Sequence, residues 1–120
     1  MTPLHLAAME YNGSAKAVST LVQAGANVDA LDSVQQSPLH YASLWNPAAV
    51  PTLIGAGCRV NQLDDYWGSS PLFLAAAISQ DRSAIAALMS AAADPHLGRS
   101  PLTHHAVSDE MKDYIRSLSK

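Results

Sequence analysis

Apolar residues along this chain fall in short clusters divided by polar stretches, in a rhythm that predicts pairs of helices. "TPLHLAA" from Thr2 puts Leu and Ala on one packing face of a short helix. Thr or Ser before Pro supplies a side-chain N-cap, followed by the first helical position, where the fixed φ of Pro helps and its missing N–H is not needed. A polar break follows each such cluster ("YNGS", "WNP", "SQDR"). A second helix is then predicted from apolar residues at helical spacing, as in Val18, Leu21 and Val22, or Ile85, Leu88 and Met89. Gly25 and Gly57 come next, placed to end that helix in a left-handed conformation. The polar stretches "ANVDALDSVQQ" and "CRVNQLDDYWGS" read as extended, hairpin-like loops. Near the end of the chain, Met111, Tyr114, Ile115 and Leu118 form an apolar stripe. Ser108 is its predicted cap, Asp109 and Glu110 suit the helix dipole, and Lys112, Asp113, Arg116 and Lys120 are left to face water.

The clusters are copies of one another. "TPLHLAA" at Thr2, "SPLHYAS" at Ser37, "SPLFLAA" at Ser70 and "SPLTHHA" at Ser100 are spaced by 35, 33 and 30 residues. A second motif travels with them: "LVQAGANVD" from Leu21, "LIGAGCRVN" from Leu53 and "LMSAAADPH" from Leu88. One unit is helix, turn, helix, hairpin loop, and a single unit cannot bury its own apolar face, so the units must stack.

On "TPLH" at 2–5, "SPLH" at 37–40, "SPLF" at 70–73 and "GANVD" at 25–29, the chain resembles the ankyrin repeat family over nearly its whole length. The resemblance implies an all-α solenoid of stacked helix-turn-helix pairs with β-hairpin-like loops. Three repeats (1–31, 32–64, 65–97) and a partial capping repeat (98–120) make one domain. It further implies a concave surface of inner helices and hairpin tips that binds other proteins, and a structural role for His5 and His40, whose side chains bond to loop backbone. Phe73 and Thr103 replace them in the later copies. Departures carry expectations of their own. Pro51 would fall inside the second helix of its repeat, which is therefore expected to start late or kink. The stretch from Asp94 to Arg99 is too short for a full hairpin, and His105 stands where the family prefers a small Ala.

Within that frame the candidate partner-binding residues are Met9, Glu10, Ser33, Val34, Gln36, Leu44, Trp45, Asp64, Asp65, Tyr66, Trp67 and Ile78. Trp and Tyr are the types most enriched at binding hot spots. Asp64, Asp65, Tyr66 and Trp67 fall at the tip of the hairpin leading into the third repeat, and Trp45 at the end of an inner helix. Two readings stand for the rings: contacts for a partner, or packing against the next hairpin and into the shortened turn of the second repeat. Beside two acids they suit a partner offering a basic segment with Lys or Arg.

Composition narrows the function classes. Of 120 residues, 14% are charged and the net charge is −3, with the few basic residues scattered. No basic stripe marks a nucleic-acid or anionic-membrane surface. No apolar run reaches membrane-spanning length, and no basic-then-apolar signal opens the chain. The single cysteine, Cys58, excludes an internal disulfide and fits a reducing compartment. An intracellular, cytoplasmic domain is the expectation, with the "NGS" at Asn12 read as a turn. No nucleophile elbow or phosphate loop is present, so a non-catalytic module without cofactor is expected. Two alternatives remain: a spacer within a longer repeat array, and metal binding by His96, His104 and His105 with Asp94, whose spacing matches no zinc pattern. Cys58 reads as a small buried hydrophobe.

Overall fold

The Ser/Thr-Pro pairs at 2, 37 and 70 each start a helix. A computed structural model describes residues 1–10, 15–65, 68–98, 100–102 and 104–118. The turn expected at Asn12 and the expectations for Tyr66, Trp67, Arg99, Thr103 and Lys120 lie outside the described residues. Those described form α1 (Pro3–Ala8), α2 (Lys16–Gln23), α3 (Pro38–Trp45), α4 (Val50–Gly55), α5 (Pro71–Leu74), α6 (Arg82–Ser90) and α7 (Asp109–Leu118). A 3₁₀ turn, Pro47–Ala49, leads into α4, and a π turn, Ala75–Ser79, continues α5. No strand occurs among the described residues.

The helices stack in two rows. α1, α3 and α5 pack side by side as an inner row, and α2, α4, α6 and α7 as an outer one, giving a body of 39 × 25 × 23 Å. The repeated leucines Leu4, Leu39 and Leu72 join the rows, with Leu53 and Leu88, and all are buried. Val18, Val50 and Ile85, three residues before the next repeated leucine, are fully buried too. Each outer helix exists because this stripe is covered by its neighbours, since helices of six to nine residues are marginal alone.

Caps follow the sequence. Thr2, Ser37 and Ser70 each accept a bond from the backbone N–H three residues on. Helix α4 does start late: Pro47 opens the 3₁₀ turn after Asn46, and Pro51 then sits in the first turn of α4, where no N–H is needed. Seven residues later, Cys58 is buried in the core, and that burial together with Asp29 pushes its thiol up to about 12, leaving it protonated and inert at neutral pH.

At the C-terminal end, residues 101–102 and 105–106 make turns. Helix α7 packs on α6 in the outer row. Met111 and Ile115 are buried, Ser108 Oγ accepts from Met111 N–H at 3.2 Å, and the Arg82 guanidinium lies 4.6 Å over the Tyr114 ring.

Candidate functional site

Two histidines clip successive repeats together. His5 Nε2 meets the Gln36 carbonyl at 2.9 Å, and His40 Nε2 meets the Ser69 carbonyl at 3.0 Å. A carbonyl only accepts, so both rings carry their proton on Nε2. Nδ1 is then the acceptor that Thr2 N–H and Ser37 N–H require, each at 3.1 Å. Every ring nitrogen is used, and both rings are fully buried. Burial holds His40 below the usual histidine range, against the opposing pull of the Ser69 carbonyl and of Asp64 and Asp32.

The clips position two loops over the inner helices. In the first, Asp32 Oδ1 accepts from Val34 N–H at 3.0 Å and Gln36 N–H at 2.9 Å, while Tyr41 Oη donates to Oδ2. Burial alone would raise the Asp32 carboxyl, but the bonds from Tyr41, Gln36 and Val34 outweigh it and the net shift is down. Burial, joined by the Asp32 bond, pushes the Tyr41 phenol up to about 12. In the second loop, Asp64 Oδ1 accepts from Ser69 N–H at 2.8 Å, and Oδ2 accepts from the Gln36 side-chain amide at 2.9 Å. Asp65 N–H donates to the Val34 carbonyl at 2.8 Å, tying the two tips together.

Between these loops and the inner row lies a groove of about 300 Å³. Its walls are Val34, Leu44, Phe73, Leu74 and Ile78. Gln36, Asp64 and Ser69 supply polar groups. Five of the residues expected from sequence (Val34, Gln36, Leu44, Asp64, Ile78) therefore converge on one cavity. Trp45 and Ile78 are exposed, at 41% and 57%, large values for apolar side chains. Ser33, Asp65, Met9 and Glu10 are exposed but do not line this groove. Tyr66 and Trp67 lie outside the described residues.

Asp64 differs from its expected setting at a protruding tip. It is 5% exposed, and its carboxylate turns inward to Ser69 and Gln36. Sequence reasoning missed Ser69, Phe73 and Leu74.

No group of three or more His, Cys, Asp or Glu side chains placed to hold a metal ion occurs among the described residues. His104 and His105 stack at 4.5 Å between centroids, and His104 meets Phe73 edge-on at 5.0 Å. No described helix is long and apolar enough to cross a membrane.

The fold and groove define a helical-repeat solenoid with a concave face. Residues 1–64 match the family model for ankyrin repeats (3 copies). The crystal structure of the human ASB11 ankyrin repeat domain is similar, with a TM-score of 0.82 and 30% sequence identity over 98% of this chain and 53% of that one. This chain belongs to the ankyrin repeat family, and it spans about half the length of that structural relative. Ankyrin repeats are generally protein–protein interaction modules and typically non-catalytic.

Proposed function

We propose that this domain binds a partner protein through the concave groove and the loop tips beside it, without catalysis or a cofactor. The observation that carries this reading is the apolar groove walled by Leu44, Phe73, Leu74 and Ile78, with Trp45 exposed nearby. Leu44, Trp45, Ile78 and Val34 make the apolar contacts. Gln36, Ser33, Asp65, Met9 and Glu10 form the polar and outer rim, and Tyr66 and Trp67 are proposed as further contacts. Asp64 serves by fixing the loop. The surface is held in place by the histidine clips, so little ordering entropy is lost on binding. The single cysteine fits work inside the cell.

A photo-crosslinking residue at position 44 or 78 tests this. Both are expected to label one common protein in lysate, competed by unlabelled domain, and position 112 on α7 is expected not to. Labelling that is equal at 112, or absent at both groove positions, contradicts the reading.

A spacer role within a longer array is favoured by one observation. Tyr41 and His104 occupy the repeat position that packs on the preceding copy, Tyr41 against His5 at 5.0 Å and His104 against Phe73. Leu6 holds that position in the first copy and is 58% exposed. Leu6→Lys is expected to leave the Tm of this chain unchanged and to lower that of a longer form in which a repeat covers Leu6; no loss there would exclude the spacer role.

A further inference from the structure

The groove is built from different registers in its two repeats. In the second, Leu44 stands seven residues after the capping Ser37 and lines the groove, whereas Trp45, eight after it, does not. In the third, Ile78 lines it from eight residues after Ser70, and Ala77 does not. The π turn accounts for this offset. Gln80 N–H reaches back five residues to the Ala75 carbonyl at 2.6 Å, so the turn holds about one more residue than an α turn. It ends on Gln80 in the left-handed conformation, φ 53°, without a glycine. An α turn here would bring Ala77 to the wall and swing Ile78 out to the place that Trp45 takes.

The polar end of the same cavity is acidic, which favours a cation in what enters. Asp64 lines it, Asp32 and the exposed Asp65 flank it, and no Lys or Arg is among its described lining residues. We infer that the π turn is the specificity device of the groove: it carries Ile78 into the register of Leu44, so that the two side chains grip one apolar side chain of an extended partner segment bearing a Lys or Arg beside it. This rests on the groove-binding reading above.

Two single-residue deletions separate register from repair. Removing Ala77 or removing Ser79 each leaves a turn of α length. The first keeps an Ile at the wall; the second puts Ala77 there and turns Ile78 away. The probe is a peptide selected on the unaltered domain from a random displayed library and followed by fluorescence anisotropy. Both variants are expected to melt at or above the parent's Tm. Affinity should stay within about threefold on deleting Ala77 and fall by about tenfold or more on deleting Ser79, the loss of one apolar contact. Unchanged affinity after deleting Ser79, or selected peptides with no basic residue near their apolar one, would overturn the inference and leave groove binding standing. A library that yields no binder would overturn both. Should the Ser79 deletion not fold by circular dichroism, the double substitution Ala77→Ile, Ile78→Ala decides with the π turn intact. Loss of affinity supports the inference, and undiminished affinity overturns it.

Discussion

The junctions at the N-terminal end of this solenoid are held differently from the one at its C-terminal end. Between the first three copies, a fully buried histidine reaches from one copy to the backbone of the next, at His5 to Gln36 and His40 to Ser69. At the following junction Phe73 takes that place, and its ring meets His104 edge-on instead. The outer helices differ in parallel. α2 and α4 run into Gly25 and Gly57 at φ 92° and 86°, while α6 runs into Ala92 at φ 68°, the same left-handed turn made by a residue that resists it. Hydrogen bonds with one fixed geometry thus set the spacing of the first three copies. At the last, an aromatic contact stands where the histidine clip would be, beside a bond from Tyr114 Oη to the Arg82 carbonyl, and residues 105–106 make a turn before α7.

The largest break in this comparison is expected from His40→Ala. It opens a cavity and leaves the Ser37 N–H and Ser69 carbonyl without the ring, at a cost of about 3 kcal/mol by urea unfolding. A loss no larger than that from an exposed substitution would mean the clip is incidental.

Gly98→Ala probes the C-terminal end. Gly98 has φ 58°, and a Cβ there would lie 2.5 Å from the Gly68 carbonyl oxygen and 2.7 Å from Leu63 Cδ2. Backbone cannot yield as a side-chain tip does, so a loss of about 2 kcal/mol is expected in the same assay. A neutral result would show that this loop is loosely held.

Exchanging the helix-ending residues sharpens the contrast. Gly57→Ala meets nothing within 4 Å, so its effect is conformational alone, a loss of about 1 kcal/mol. Ala92→Gly should move stability the other way, by up to about 1 kcal/mol. Equal signs for the two would refute the equivalence of these positions.

The smallest effect is one of pH. Folded His40 titrates below its ordinary value of 6.5, so as pH falls through that value the unfolded chain takes up a proton that the folded one refuses. Above it neither form is charged at this ring and nothing changes. Stability should therefore fall from about pH 7 toward about pH 5, and His40→Ala should remove part of that slope. Asp32, held below its ordinary 3.8, adds a loss of the same sign only in stronger acid. An unchanged slope in the variant would assign the effect elsewhere.

Much of the architecture was legible because it is local and repeated. Ser/Thr-Pro caps, the Val/Ile-x-x-Leu stripe of the outer helices, Gly25 and Gly57, and the late start of α4 beside Pro51 each follow from one or a few neighbouring residues. The groove was legible in part, since Leu44 and Ile78 stood at the right end of their helices. What stayed hidden depends on register and on side-chain direction. Nothing in "AAAIS" distinguishes a π turn from an α turn, because alanine tolerates both. Asp64 read as an exposed tip because sequence spacing cannot show that Ser69 N–H and the Gln36 amide draw its carboxylate inward. Near the last copy, His104 meets Phe73 edge-on and His105 stacks on His104, contacts between residues that spacing alone does not bring together.

The most direct measurement is the amide shift map of the isotope-labelled domain on adding a saturating library-selected peptide. The account predicts the largest changes at Val34, Gln36, Leu44, Leu74 and Ile78, with α2 and α7 nearly unmoved. Changes concentrated on the outer row or on α7, with the groove amides still, would contradict it.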